Sequence, residues 1–76
     1  MARAYVRICI HPGHELVIRE TLRKEPKVVS AEVTAGEQDM IALIKGDSFE
    51  DILDTVVKKV RHLEGVKITW TNFILE

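Results

Sequence analysis

The segment from Thr34 to Asp39 constrains the fold most, because it separates two apolar runs that have the composition of β-strands. Gly36 adopts a positive φ at little cost, and the three residues that follow it are poor strand formers. The chain is therefore predicted to reverse at this point, so that one strand follows directly on another. Glycine and aspartate are also common in ordinary turns. The motif alone therefore does not distinguish a binding loop from a simple turn, and the rest of the sequence must be considered.

Four runs show the alternation of apolar and polar residues that is typical of β-strands. The first spans residues 3–10 and is predicted to bury one face, made of Ala4, Val6, Ile8 and Ile10. The second is predicted to bury Val29, Ala31, Val33 and Ala35, with Val28 folding back onto the core. The third, Met40 to Ile44, is apolar on both faces, which predicts cover by helices on one side and by another sheet or subunit on the other. The fourth runs from Val66 to Leu75 and ends in a segment that is apolar on both faces.

A first helix is predicted from His14 to about Glu25, where straight-chain helix formers dominate and Pro26 ends the run. Its buried stripe is predicted to consist of Ile18 and Leu22, supported by Val17.

A second helix is predicted to begin after Ser48, a good N-cap residue with Asp51 three positions later. Gly65 is placed to close its C-terminal end in a left-handed conformation. Apolar residues recur at helical spacing along this segment. The predicted buried face consists of Phe49, Ile52, Leu53, Val56, Val57, Val60 and Leu63.

The order strand, helix, strand, strand, helix, strand predicts an α+β, ferredoxin-like βαββαβ fold in one domain, residues 1–76. Its four-stranded antiparallel sheet carries both helices on one face. The open face, with Tyr5 and Cys9, then needs cover. A 76-residue chain buries only about 60% of its unfolded surface. We therefore expect an oligomer.

Charge and composition exclude several classes of protein. Eleven basic and twelve acidic residues leave a net charge of −1 without a basic stripe, which argues against direct binding to nucleic acid. The longest apolar run is far shorter than the roughly 20 residues of a membrane span. A single cysteine forms no disulfide framework, so a reducing, cytoplasmic location is expected.

Taken together, these features resemble the C-terminal effector domain of the Lrp/AsnC transcriptional regulators over essentially the whole chain. The likeness rests on the order of the elements, the Pro12-Gly13 turn, Pro26, the Gly36-x-x-Asp39 loop and the Gly65 turn. The helix-turn-helix that usually precedes this domain is missing, so the sequence resembles the stand-alone members. The resemblance implies dimers that join into rings, an amino-acid effector bound near the strand-to-strand loop between dimers, and full-length Lrp/AsnC regulators as further partners.

The resemblance also assigns roles at the loop. Gly36 and Asp39 match the family pattern, whereas Ala35 and Gln38 replace a small hydroxyl residue and an aromatic one. Backbone N–H groups at Gly36 would hold the α-carboxylate of an amino acid and Asp39 its α-ammonium. The full candidate site comprises Thr34, Ala35, Gly36, Glu37, Gln38 and Asp39, with Thr69 or Thr71 from a neighbouring subunit. In the alternative, Asp39 only forms the turn by bonding to the local backbone.

Other reactive side chains have simpler interpretations. His11 and His14 flank a turn but have no evident third metal ligand nearby, so we predict solvated histidines and no metal or cofactor. Cys9 lacks an evident orienting group and is interpreted as an inert thiol, and Trp70 as a packing residue. Three functions remain: an amino-acid sensing module that acts in transcriptional regulation through partner regulators, a purely structural assembly module, and a small dimeric-barrel enzyme. The third would need an acid–base pair with an orienting group, which the sequence does not provide.

Overall fold

The computed structural model describes residues 1–36 and 39–75, and its elements follow the predicted order. They are β1 (Ala2–Ile10), α1 (Glu15–Arg23), β2 (Val28–Val33), β3 (Met40–Gly46), α2 (Phe49–Thr55), a π-helical segment that continues α2 (Val56–Val60), and β4 (Val66–Phe73). The strands form one antiparallel sheet in the order β2-β3-β1-β4. This arrangement confirms the ferredoxin-like α+β fold.

The core lies between the helices and one face of the sheet. The inward residues of β1 alternate as predicted, from Ala4 to Ile10. In β3, the buried side chains are Met40, Ala42 and Ile44. Ile18 and Leu22 of α1 join this core, but Val17 does not support them, because it is 70% exposed.

The predicted inward face of β2 is wrong in part. The structure buries Val28 and Ala31, while Val29, Val33 and Ala35 are exposed. The pairing register with β3 shifts between Val28 and Ser30, so one extra residue interrupts the alternation at Val29. Val33 ends a strand at the edge of the sheet, and Ala35 lies beyond it.

The predicted buried face of the second helix is also too wide. Ile52, Val56 and Val60 are buried, Leu63 is partly buried, and Phe49, Leu53 and Val57 are exposed. The N–H of Arg61 donates to the carbonyl of Val56 at 2.9 Å, an i→i+5 bond that widens the last turns. The buried residues Ile52, Val56 and Val60 are spaced four apart and face the core, whereas the apolar positions beside them face outward.

Capping at the start of α2 follows the prediction, because the hydroxyl of Ser48 accepts a hydrogen bond from the N–H of Asp51 at 3.1 Å. The predicted cap at the other end is wrong: the helical segment ends at Val60 with Arg61 as its C-cap, so Gly65 lies in the turn before β4. Gly65 has the expected left-handed conformation, with a φ of +95°, and a Cβ at this position would overlap the ring of His14. In the described part of the chain, no helix is long and apolar enough to cross a membrane.

Candidate functional site

The turn after β2 presents an open backbone at Gly36. This residue is exposed and has a φ of +121°. Among the described residues other than its chain neighbours, no atom lies within 4 Å of the position where its Cβ would be. The N–H of Thr34 donates to the carbonyl of Asp39 at 2.9 Å and closes the loop. A ligand group could therefore approach the Gly36 backbone without displacing any of the described side chains.

Asp39 is bonded to β1 through both its backbone and its side chain. Its N–H donates to the carbonyl of Ile8 at 3.0 Å. Its Oδ2 atom accepts the N–H of Ile10 at 2.7 Å, across a separation of 29 residues. The backbone pairing of β1 with β3 ends at Ile8, so this carboxylate supplies the next acceptor that the strand needs.

This cross-strand role of Asp39 was missed in the sequence. The two interpretations considered there were a ligand contact and a bond to the local backbone. The partner that the structure records belongs instead to a distant strand. No local pattern signals it, because it depends on the register between β1 and β3.

The two threonines proposed to complete the site lie apart from the loop of their own chain. Thr69 and Thr71 pair with Ile8 and Val6 of β1, so they share the helix-covered face of the sheet. Thr69 is two strands away from Met40, or about 10 Å. Within one chain, these two threonines therefore do not adjoin the loop.

The remaining loop residues are only partly placed. Ala35 is exposed beside Gly36, and Thr34 is partly buried. The predicted roles of Glu37 and Gln38 fall outside the described residues.

Two cavities lie elsewhere on the surface. One, of about 350 Å³, is lined by Arg61, Lys67 and Thr69 together with two apolar residues of β4. The other, of about 500 Å³, lies between the two ends of the chain and the start of α2. The described loop residues line neither of these two cavities.

The open face of the sheet carries aromatic and apolar side chains around a cation. The guanidinium carbon of Arg7 lies 5.2 Å from the ring centroid of Trp70, which is 41% exposed. Tyr5 and Ile68 are exposed on the same face. Among the described residues, Nε of Arg7 is the buried side-chain atom without a hydrogen-bond partner. Leaving such a donor unpaired costs about 1–3 kcal/mol.

The other reactive residues form no common site. Cys9 is partly buried on the open face, His11 is exposed, and His14 packs against Gly65. Within residues 1–36 and 39–75, no three histidine, cysteine or acidic side chains are grouped as a metal site would require.

A protein-family model described as the Lrp/AsnC ligand binding domain matches residues 3–76. No curated protein matches the sequence. Two similar solved structures are close to this chain in length. The hypothetical protein PHS023 from Pyrococcus horikoshii is 30% identical, with a TM-score of 0.91 over 100% of this chain and 93% of that one. TTHA0845 from Thermus thermophilus is 26% identical, with a TM-score of 0.94 over 100% and 95%.

A longer protein shares the fold at lower identity. The transcriptional regulator NMB0573 from Neisseria meningitidis, solved as a complex with L-Met, is 20% identical, with a TM-score of 0.85. The match covers 99% of this chain and 50% of the regulator, so the fold described here corresponds to about half of that protein.

Proposed function

This chain belongs to the Lrp/AsnC ligand-binding domain family, and from that premise we propose that it binds a free amino acid and acts, as an oligomer, on transcriptional regulators. The observation that carries the proposal is the family match over residues 3–76. The complex of the Neisseria regulator with L-Met supports an amino acid as the class of effector.

The loop at Gly36 is the proposed binding site. None of the described side chains covers the backbone at Gly36. This backbone would suit an α-carboxylate, because exposed N–H groups in a turn bind anions well. Asp39 would then pair with the α-ammonium group. Since Oδ2 of Asp39 holds the N–H of Ile10, the second oxygen is the one that we assign to the ligand.

The open face of the sheet supports the oligomer. It exposes Tyr5, Ile68 and Trp70, and a partner would remove these apolar groups from water. We propose a homodimer through this face and a ring of dimers, with Thr69 or Thr71 of a neighbouring subunit near the effector. Full-length regulators with the same domain are the proposed protein partners.

Direct contact with DNA is not part of this function, since a net charge of −1 offers little attraction to phosphates. Tight, salt-sensitive gel shifts of duplex DNA by the purified chain would contradict this part of the proposal. Catalysis is not part of it either, because the matched family is a ligand-binding domain.

A structural assembly module is the second candidate. It is favoured by the carboxylate of Asp39, which already has a structural use as the acceptor for Ile10. In that case the loop would only stabilise the end of the sheet, through the bond from Ile10 to Asp39, and would bind no effector.

Calorimetric titration with a panel of free amino acids distinguishes amino-acid binding from a purely structural role. The variant to compare with wild type follows from the contact between Asp39 and Ile10. Asp39→Asn keeps an oxygen acceptor for the Ile10 N–H but removes the negative charge. We expect this variant to unfold near the wild-type temperature and to bind the amino acid at least about tenfold more weakly, since a charged hydrogen bond is lost. Asp39→Ala should lose both stability and binding.

Glu50→Gln is the matched control, because it removes one negative charge from an exposed position on α2. Equal binding by wild type and Asp39→Asn would show that Asp39 does not hold the ammonium group. If no amino acid binds at millimolar concentration, the sensing function is wrong and the assembly module is the better description.

A further inference from the structure

A cationic cavity lies where the second helix ends and β4 begins. It has a volume of about 350 Å³ and is lined by Arg61, Val66, Lys67, Ile68 and Thr69. Arg61 is the C-cap residue of the last helical segment, and the other four residues belong to β4. Small-molecule sites usually occupy about 300–1,000 Å³, so the cavity has room for a small metabolite.

A hydrogen-bonded connection brings the two cations of this cavity together, although other residues separate them in sequence. The N–H of Val66 donates to the carbonyl of Leu63 at 3.2 Å and closes the turn that leads back to the sheet. The carbonyl of Gly65 accepts the N–H of His11 at 2.7 Å, which ties this turn to the end of β1. The fold therefore holds the backbone on both sides of the cavity.

A bulge at the start of β4 sets the position of Lys67. Cys9 of β1 pairs with Ile68. The following residue of β1, Ile10, pairs with Val66, so Lys67 is an extra residue with no opposite residue on β1. Bulges re-aim a side chain, and they are common beside functional sites. This irregularity falls on one of the two cations that line the cavity.

The positive charge of the cavity is not neutralised within the described part of the chain. Arg61 and Lys67 form no ion pair there, and Glu64, which lies between them in sequence, pairs with neither. Other cations do pair with acids, namely Arg19, Arg23, Lys27 and Lys58. Two unpaired cations that line one cavity attract an anion.

The donors in the cavity match a phosphate group better than a carboxylate. A phosphate monoester carries about −1.5 to −2 charges at neutral pH and has three strong acceptor oxygens. Arg61 offers a fork of N–H donors, Lys67 a compact ammonium group and Thr69 a hydroxyl. A single carboxylate has less charge and fewer oxygens, so it would satisfy only part of this set.

We propose that this cavity binds the phosphate group of a small phosphorylated metabolite, with Arg61, Lys67 and Thr69 as the donors. Val66 and Ile68 supply an apolar wall for the carbon skeleton. The inference goes beyond the proposed amino-acid site. The described residues of the Gly36 loop do not line this cavity, so either site can exist without the other.

Calorimetric titration with inorganic phosphate and with glycerol phosphate tests the site. Both compounds should bind the wild type at millimolar concentration or below. Arg61→Gln and Lys67→Gln should each weaken binding by about tenfold, because each removes a charged hydrogen bond. Both residues are exposed, so the variants should fold and unfold near the wild-type temperature. Succinate, which carries two carboxylates, should bind more weakly than glycerol phosphate.

Lys59→Gln is the matched control. It removes one positive charge from an exposed residue of the same helical segment, outside the cavity. Its affinity for both phosphate compounds should stay within about twofold of wild type, because solvent and salt screen a charge that does not touch the ligand. In NMR spectra of the wild type, saturating glycerol phosphate should shift the amide signals of Lys67 and Thr69 most.

Four results would overturn the site. They are no binding of either phosphate compound at millimolar concentration, an equal loss of affinity in Lys59→Gln and Arg61→Gln, tighter binding of succinate than of glycerol phosphate, and an Arg61→Gln variant with wild-type phosphate affinity. The last result, with a lower unfolding temperature, would show that Arg61 only stabilises the end of the helix. None of them bears on the Gly36 loop, which the amino-acid titration tests separately.

Discussion

At the scale of single residues, Asp51 shows how one side chain joins three parts of the fold. Its Oδ1 accepts from Nζ of Lys27 at 2.5 Å, and its Oδ2 accepts from the N–H of Asp47 at 3.0 Å. A Cβ on Gly46 would lie 2.6 Å from the same Oδ2, so a side chain at this position would displace the carboxylate of Asp51. The start of α2 is thereby tied to the end of β3 and to the residue that precedes β2.

These contacts predict an acid-sensitive contribution to stability. The hydrogen bond from Lys27, assisted by that from Asp47, lowers the pKa of Asp51 below its ordinary value of 3.8. The folded state therefore binds the proton less readily than the unfolded state, and the contribution is present above that value and lost as the pH falls through the lowered pKa.

Urea unfolding between neutral pH and about pH 2 measures this contribution. Asp51→Asn should be less stable at neutral pH and should show a shallower loss of stability on acidification. Lys27→Met, which removes the donor, should flatten the profile in the same way. An unchanged slope in both variants would contradict the role of the pair.

At the scale of the elements, the two misjudged faces have different causes. Sequence periodicity predicts a face by counting residues, and the bulge at Val29 changes the phase of that count in β2. In the second helix, Phe49 and Leu53 precede the wide turns that begin at Val56. Their exposure shows instead that the apolar stripe of the sequence is wider than the face that the sheet covers.

β1 keeps its alternation, and there the predicted buried residues, Ala4, Val6, Ile8 and Ile10, were confirmed. β3 also alternates, with Met40, Ala42 and Ile44 on the helix-covered face, although its sequence is apolar on both faces.

A matched pair of substitutions in α2 separates the predicted face from the observed one. Ile52 is fully buried and its neighbour Leu53 is 45% exposed, although the periodicity places both in the core. Ile52→Ala should lower the free energy of unfolding by about 2–5 kcal/mol. Leu53→Ala should cost less than about 1 kcal/mol.

Chemical denaturation of both variants measures the difference. Equal losses of stability would show that Leu53 packs as deeply as the spacing suggests. If the loss at Leu53 appears only at concentrations where the chain is oligomeric, the side chain belongs to a contact between subunits.

In the candidate site, too, some features can be predicted from the sequence and others cannot. The positive φ of Gly36 was predictable, because a reversal between two strands demands it locally. The bond from Asp39 to Ile10 was not predictable, since it depends on how β1 and β3 align in three dimensions. Local chemistry thus locates the loop, and tertiary register determines what its carboxylate does.

At the scale of the whole molecule, the open face makes the single tryptophan a reporter of assembly. Trp70 is 41% exposed in one chain and lies where the proposed partner would cover it. Dilution should therefore shift its fluorescence emission to longer wavelength as dimers dissociate. The midpoint should agree with the dissociation constant from sedimentation.

Tyr5→Glu is the control for this measurement, because a charge at this exposed position on the open face should weaken the dimer and move the midpoint to higher protein concentration. An emission maximum that stays constant while sedimentation shows dissociation would place Trp70 outside the contact between subunits.

The hydrogen bond between Asp39 and Ile10 also makes one amide proton sensitive to the state of the loop. The Ile10 N–H is protected from solvent exchange for as long as the carboxylate of Asp39 remains its acceptor. An effector that competes for this carboxylate would accelerate exchange at Ile10, and one that fixes the carboxylate in place would slow it. By reciprocity, the factor by which a bound effector favours or disfavours this hydrogen bond is also the factor by which formation of the bond changes the affinity for that effector.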